Sequence, residues 1–374
     1  MAGLNIDSSI LKIPINNVSE YNKLYIDKYI ENLNNLVNKG NYILGTEVQT
    51  FEEKLSKYLN VNYALGLNSG TSALELAFQL LDLNPDDEVI IQANAYIACA
   101  FGALKSNAKL RIIDCDSNGL FDINELKKNM NDKIKAVLVV HLYGDSCDME
   151  ELTSFCNNNN IILIEDCAQA FGTKYNNKMI GSFGDISCHS FYPSKNLGAL
   201  GDGGAICTNN INYYSKIKLL RNLGSIKKYE HDVKGTNSRL DTLQASFLLS
   251  KFDDVDKYIQ HKNNISKLYT FDNNFFKHIK NPNENVFHSY HLYVILLHDN
   301  IDRNNFSSYL LSNGIETIVH YKIPFYKTLA FKEFNNLTFK NTEKLSNNIL
   351  SLPIYNTMNE KQIYHINDII KKYI

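Results

Sequence analysis

The chain is 374 residues long, with 21% charged and 44% apolar residues and a net formal charge of −2 at pH 7; that length suits two domains, or one large domain with a smaller appendage. So balanced a charge gives no general attraction to nucleic acid or to an anionic membrane. No apolar run approaches the roughly 20 residues of a membrane helix, and the start, Met1-Ala2-Gly3-Leu4-Asn5-Ile6-Asp7, lacks the basic and apolar regions of a signal peptide.

From residue 58 to residue 208, short apolar runs alternate with helix-like segments. Residues 64–67 precede a helix at 72–81, on which Ala73, Ala77, Leu80 and Leu81 share one face. Residues 89–92 then precede a helix at 97–106, 110–114 precede 123–130, 136–140 precede 149–157, and 161–165 follow. Strands so continuously apolar imply a mostly parallel sheet covered on both faces. Ligands of such sheets bind at the carboxyl ends of the strands, where Asp114, Asp166 and the segment His141-Leu142-Tyr143-Gly144 fall. Two further short strands, 186–191 and 205–208, flank a glycine-rich turn. Beyond Thr208 the pattern turns helical at 213–223 and over a long stretch at 241–268. That stretch leads into a second domain with a strand at 290–297 and a helix near 306–312. The expected division is a large domain over 1–245, including an N-terminal segment, and a small one over 246–374. The cysteines at 99, 115, 147, 156, 167, 188 and 207 are odd in number and form no CxxC pair. Neither a disulfide framework nor a metal site is expected, and a soluble, cytoplasmic protein is.

The glycine-rich turn carries the strongest chemical signal. It reads Ser190-Phe191-Tyr192-Pro193-Ser194-Lys195-Asn196-Leu197-Gly198, followed by Gly201-Asp202-Gly203-Gly204. Most lysines are solvated surface groups, but one bracketed by proline and glycines is constrained in place. A lysine held near a strand-end aspartate is what pyridoxal phosphate chemistry requires. The amine forms the Schiff base, and the carboxylate keeps the pyridine nitrogen protonated so that the ring acts as an electron sink. Asp166 and Asp114 are close rivals for the acid, since either can simply cap a helix; Gln169, on the same turn as Asp166, favours Asp166. Asn68-Ser69-Gly70-Thr71-Ser72-Ala73 is a strand-to-helix turn whose free N–H groups suit a phosphate, although a plain N-cap reads the same way. Tyr96, just past a strand, can stack on a planar ring or be one of 23 ordinary tyrosines. His291, His320 and Tyr321 are candidate substrate contacts that periodicity alone does not select.

Together these segments resemble the DegT/DnrJ/EryC1/StrS family of pyridoxal-phosphate-dependent nucleotide-sugar aminotransferases. The resemblance runs from Gly45 with Phe51-Glu52 to His320-Tyr321-Lys322-Ile323-Pro324. Its most specific parts are Ser69-Gly70-Thr71-Ser72-Ala73-Leu74, Glu165-Asp166-Cys167-Ala168-Gln169-Ala170, the Lys195 segment, and Gly235-Thr236-Asn237-Ser238-Arg239-Leu240-Asp241 with Gln244-Ala245. The resemblance implies an α/β protein of fold type I: a large domain with a mostly parallel seven-stranded sheet and a smaller C-terminal α+β domain. It also implies a homodimer with shared active sites. By position, Lys195 is the implied Schiff-base residue, Asp166 the partner of the pyridine nitrogen, and Gln169 the partner of the phenolic oxygen. Gly70 and Thr71 amides, Ser190, and Asn237 of the partner subunit would hold the phosphate. Tyr96 would stack on the ring, with His320 and Tyr321 near the sugar nucleotide.

The resemblance further implies L-glutamate as amino donor and a nucleotide-linked keto sugar as acceptor. Members acting on 4-keto sugars often carry Thr-Thr-Gly-Glu-Gly-Gly after the lysine. Here Asn196-Leu197-Gly198-Ala199-Leu200-Gly201-Asp202-Gly203-Gly204 resembles the members that aminate a 3-keto group, and a dTDP-3-keto-6-deoxyhexose is the expected substrate. A 4-keto sugar or a UDP-linked 3-keto sugar are the alternatives. A cysteine desulfurase would place a histidine where Ser194 stands, and the family's dehydratases replace the lysine with histidine. A non-catalytic binding or regulatory protein of this fold would lack the lysine, the aspartate or the phosphate loop, and none is lacking.

Overall fold

The computed structural model describes residues 11–227, 229–271 and 274–374. Three helices that the alternation of strands and helices did not announce come first: α1 (Val18–Lys23), α2 (Ile26–Lys39) and α3 (Thr46–Leu59). On α3 the buried residues Val48, Phe51, Leu55 and Leu59 recur at helical spacing. On α2 the buried Tyr29 and Leu36 flank a stripe of Ile26, Ile30, Leu33 and Val37, which stay between 44% and 57% exposed. Both helices stop at left-handed residues, Gly40 (φ 68°) and Asn60 (φ 56°), the residue types that adopt this conformation most readily.

The alternation then proceeds as expected. In order come β1 (Tyr63–Leu67), α4 (Gly70–Leu80), β2 (Glu88–Gln92), α5 (Ile97–Ala103), β3 (Lys109–Ile113), α6 (Ile123–Lys128), β4 (Ile134–Val140), α7 (Met149–Asn158) and β5 (Ile162–Asp166). A hairpin of β6 (Lys174–Tyr175) and β7 (Lys178–Met179) precedes β8 (Ile186–Ser190), β9 (Gly204–Thr208) and α8 (Ile211–Leu220). The main sheet has seven strands in the order β1-β9-β8-β5-β4-β2-β3. It is parallel from β8 to β3, and only β9 runs against its two neighbours. Side chains alternate across it with the period of two that a pleat imposes. Ile90, Val137, Val139 and Leu163 pack on the face covered by α6 and α7, while Val89, Ile91, Leu138 and Ile164 pack toward α4 and α5.

Beyond the small hairpin β10 (Ser225–Lys227) and β11 (Glu230–His231) lies the stretch expected to be one long helix. It is two, α9 (Thr242–Phe252) and α10 (Val255–Ser266). The break falls at Asp253-Asp254, where Lys54 pairs with Asp253 at 2.6 Å and the Tyr25 hydroxyl donates to Asp254 at 2.7 Å. These tertiary contacts override an apolar periodicity that runs on through the break. The remaining elements are β12 (Phe276–His278), β13 (Val286–Phe287), β14 (Tyr293–Leu297), α11 (Arg303–Ser312), α12 (Lys340–Asn348), β15 (Ile349–Leu352) and α13 (Glu360–Tyr373). Strand β14 begins later than expected because Tyr290 takes a left-handed φ of 47°. β12, β14 and β15 form an antiparallel sheet that shares a core with α11 and α13. Ile13 belongs to that core and pairs with Ile315, which ties this segment to the C-terminal part of the chain. No described helix is long and apolar enough to cross a membrane.

Candidate active site

Strand β5 ends at Asp166 near the middle of the main sheet, flanked by β4 and β8. Its buried carboxylate accepts the Ala168 N–H on Oδ1 at 2.9 Å and the Cys99 thiol on Oδ2 at 3.0 Å. Asp114, its rival on sequence, follows the edge strand β3. There Asp114 accepts from the N–H groups of Asn341 (2.8 Å) and Thr342 (3.0 Å) and from the Thr342 hydroxyl (2.8 Å). That use closes the start of α12, whose own preceding residue, Phe339, has no side-chain cap to offer. Asp166 faces a cavity of about 390 Å³, and Asp114 does not line it.

Lys195 enters the same cavity from the turn between β8 and β9. The turn is fixed by Lys195 N–H to Tyr192 O (2.8 Å), Ala199 N–H to Phe191 O (2.8 Å) and Phe191 N–H to Gly203 O (2.7 Å). At Gly198 a Cβ would lie 2.2 Å from the Pro193 carbonyl, so only glycine closes this turn. From below, Lys262 donates to the Asn196 side chain at 2.5 Å, and Lys251 donates to the Gly198 carbonyl. Asn196 in turn holds the carbonyls of Phe171 (3.0 Å) and Ser289 (3.2 Å). Burial lowers the Lys195 amine to a pKa of about 8, against an opposing pull from Asp166 and Cys99. A substantial neutral fraction near neutral pH is what a nucleophilic amine needs.

The third wall is the start of α4. Ser69 caps it by accepting the Ser72 N–H at 3.0 Å, and Ala73 makes the first intrahelical bond, to Ser69 O at 3.2 Å. Such a start leaves the Gly70 and Thr71 amides without intrahelical acceptors, and both residues line the cavity beside Ser190. A Cβ on Gly70 would sit 2.7 Å from the Ser190 Cβ, so glycine lets the two segments meet.

The fourth wall comes from Tyr96, His291, His320 and Tyr321. Tyr96 is half exposed, and its ring lies 5.3 Å from that of Tyr321. Gln169 is held at both ends: its Oε1 accepts the Tyr143 N–H at 2.7 Å, and its amide donates one N–H to the Tyr321 hydroxyl at 2.9 Å. A second N–H of that amide remains for another acceptor. His320 Nδ1 lies 2.9 Å from the Ser351 hydroxyl, and burial holds its pKa down at about 4. His291 Nε2 lies 3.5 Å from Lys195 Nζ; burial first, then the Lys195 charge, push its pKa well down.

Of the sequence candidates, the structure gathers Gly70, Thr71, Tyr96, Asp166, Gln169, Ser190, Lys195, His320 and Tyr321 around one cavity. Asn237 is exposed and does not line it. Sequence reasoning missed Cys99, because nothing in an apolar helix start marks a thiol as the neighbour of a carboxylate. It also passed over Tyr192 and Asp202, two more residues of the lining. Glu165, next to Asp166, points the other way. Its carboxylate accepts from the N–H groups of Gly181 (2.9 Å), Phe183 (2.8 Å) and Gly184 (2.7 Å) and meets His141 Nε2 at 3.2 Å, anchoring the turn before β8.

Pyridoxal phosphate asks for an amine, an acid for its ring nitrogen, donors for its phosphate and a flat neighbour for its ring. Lys195, Asp166, the start of α4 and Tyr96 offer that set around one cavity, so the residues present fit the group.

The sequence profile described as the DegT/DnrJ/EryC1/StrS aminotransferase family matches residues 25–371. The dTDP-3-amino-3,6-dideoxy-alpha-D-galactopyranose transaminase of Aneurinibacillus thermoaerophilus is 38% identical over 370 residues, covering 96% of this chain and 99% of its own. A UDP-N-acetyl-3-dehydro-alpha-D-glucosamine 3-aminotransferase of Acidithiobacillus ferrooxidans is 32% identical over 354 residues, 92% of this chain and 94% of its own. Among solved structures, DesV of S. venezuelae in complex with a ketimine intermediate superimposes with a TM-score of 0.91 at 28% identity, over 97% of this chain and 98% of that one.

Proposed function

This chain belongs to the DegT/DnrJ/EryC1/StrS aminotransferase family and is a pyridoxal-phosphate-dependent sugar aminotransferase; from that premise we propose that it moves an amino group from L-glutamate to the 3-keto carbon of a dTDP-linked 6-deoxyhexose. The observation that carries the chemistry is the meeting of Lys195, Asp166 and the start of α4 around one cavity. When bound, the cofactor supplies an electron sink for charge developing on the carbon beside the amine.

The chain's own residues supply the rest. Lys195 would hold the cofactor covalently, and its free amine would take the proton from the amine-bearing carbon and hand it on across the transferred nitrogen. Its lowered pKa suits both roles, since it can release and accept a proton near neutrality. Asp166 would pair with the ring nitrogen through its cavity-facing carboxylate. Gln169, oriented by Tyr143 and Tyr321, offers its remaining N–H to the phenolic oxygen. The Gly70 and Thr71 amides and the Ser190 hydroxyl would hold the phosphate, where the α4 dipole favours an anion. Tyr96 covers the ring, while His320 and Tyr321 face the acceptor sugar.

Asn237 completes the phosphate site of a partner subunit, making the working unit a homodimer. Two observations support that reading. Asn237 is exposed and absent from its own chain's cavity lining, and the apolar stripe of Ile26, Ile30, Leu33 and Val37 on α2 is exposed. The 3-keto assignment is supported by the segment from Asn196 to Gly204 and by the name borne by the 38% identical relative. The UDP-linked alternative has the support of the Acidithiobacillus relative.

The test is a competition. Purified protein with pyridoxal phosphate and L-glutamate is offered a dTDP-3-keto-6-deoxyhexose, its 4-keto isomer and a UDP-linked 3-keto sugar, and products are read by mass spectrometry. The dTDP-linked 3-amino sugar is the expected product. Amination of the 4-keto isomer alone would overturn the regiochemistry, and preference for the UDP sugar would overturn the nucleotide.

A further inference from the structure

The first turn of α5 delivers two side chains to the site, not one. Tyr96 stands before the helix and lines the cavity, while Cys99, whose N–H bonds to Tyr96 O at 2.9 Å, points the other way along the turn to Asp166. Cys99 is fully buried, and its sulfur lies 3.0 Å from Asp166 Oδ2. We propose that Cys99 is a positioning residue for Asp166, its thiol donating to Oδ2 so that the carboxylate is held facing the cavity. The proposal rests on the reading of Asp166 as partner of the cofactor's ring nitrogen.

The geometry leaves little freedom. Oδ1 is tied to the Ala168 N–H at 2.9 Å and Oδ2 to the thiol, so rotation of the carboxyl group breaks both bonds. Each carboxylate oxygen has two lone pairs, so the thiol leaves Oδ2 an acceptor site for a donor in the cavity. The type of donor matters as much as its place. A lysine or arginine here would form an ion pair and neutralise the charge that the ring nitrogen requires. A thiol is a weak, neutral donor that orients the carboxylate while leaving its charge in place. Burial and the Asp166 charge both push the Cys99 pKa up, which keeps the proton on sulfur where the bond needs it.

The experiment measures the dissociation constant of pyridoxal phosphate for apoprotein by fluorescence quenching. The proteins are wild type, Cys99→Ala, Cys99→Val, Cys99→Ser, Asp166→Asn and the Cys99→Ala/Asp166→Asn double variant, each first shown by thermal melting to be folded. Removing one hydrogen bond from a weak thiol donor should weaken binding roughly 3- to 10-fold in Cys99→Ala. Cys99→Val, which fills the space without a donor, should match it, and Cys99→Ser should return to within about 2-fold of wild type. In the Asp166→Asn background, Cys99→Ala should have no further effect. Wild-type affinity in both Cys99→Ala and Cys99→Val would overturn the proposal. So would an equal loss in Cys99→Ser, or a Cys99→Ala loss that persists undiminished without Asp166. Wild-type affinity in Asp166→Asn would instead refute the Asp166 assignment, and the proposal with it.

Discussion

Two aspartates stand at the carboxyl ends of strands in the same parallel sheet, and the fold uses them for opposite purposes. Asp166 ends β5, flanked by strands on both sides, and its carboxylate faces a cavity. Asp114 follows β3 at the sheet's edge, where α12 arrives with an uncapped start, and three donors of Asn341 and Thr342 take up its carboxylate. At the edge a neighbouring element reaches the acid and makes it part of the scaffold. In the middle the loops part, and the acid stays available to a ligand. Of these two strand-end acids, the one left open to a ligand is the one for which no helix start competes.

The largest effect should come from Lys195, which the central cavity brings to the same site as Asp166. Lys195→Ala should reduce single-turnover amine transfer from glutamate by about 10³-fold or more, with the melting temperature little changed; full turnover would remove the site from the middle of the sheet altogether. Next come the two acids as a pair. Asp166→Ala should lower kcat by about 10²-fold or more at saturating cofactor, as loss of a preorganised charge does. Asp114→Ala should leave kcat within about 2-fold and cost about 1–3 kcal/mol in denaturant unfolding, because three donors lose their acceptor. The reverse pattern would mean that the roles have been exchanged.

A smaller effect sharpens the phosphate end. In Gly70→Ala the new methyl group meets the Ser190 Cβ at 2.7 Å, so the dissociation constant of pyridoxal phosphate should rise by about 10-fold while kcat at saturation changes little. The smallest prediction concerns the platform under the lysine turn. Burial lowers Lys251 to a pKa of about 7, whereas an unfolded lysine titrates near ~10.4. Between these values the unfolded chain binds more protons than the folded one, so this group makes stability rise with pH. The melting-temperature difference, wild type minus Lys251→Met, should therefore grow from about pH 6 to about pH 8.5. A difference that is flat or shrinks with pH would show that the amine is not buried as described.

Local patterns are legible in the residues, whereas contacts between distant parts of the chain are not. The alternating strands from β1 to β5, the glycine-rich turn and the start of α4 are local patterns, and each was read where the structure has it. The choice between Asp166 and Asp114 was nearly even on local grounds. It is made by Asn341 and Thr342, more than two hundred residues further on, and no window of sequence contains that fact. Cys99 was invisible for the same reason, since its partner lies across the sheet and its helix reads as plain apolar packing. The helices α2 and α3 were passed over although the spacing of Phe51, Leu55 and Leu59 is helical. The break at Asp253-Asp254 went unseen because Lys54 and Tyr25, which hold it, come from the far end of the chain.

Among several buried amines, Lys195 is the one proposed to bond the cofactor. Lys251 and Lys262 are also buried, with pKa values lowered to about 7, so a lowered pKa does not by itself single out Lys195. The most direct test is to load the protein with pyridoxal phosphate, reduce the bound adduct with borohydride, and map the modified peptide by mass spectrometry. One stoichiometric adduct, on Lys195, is the expected result. An adduct on Lys251 or Lys262, or no adduct on any lysine, would contradict it.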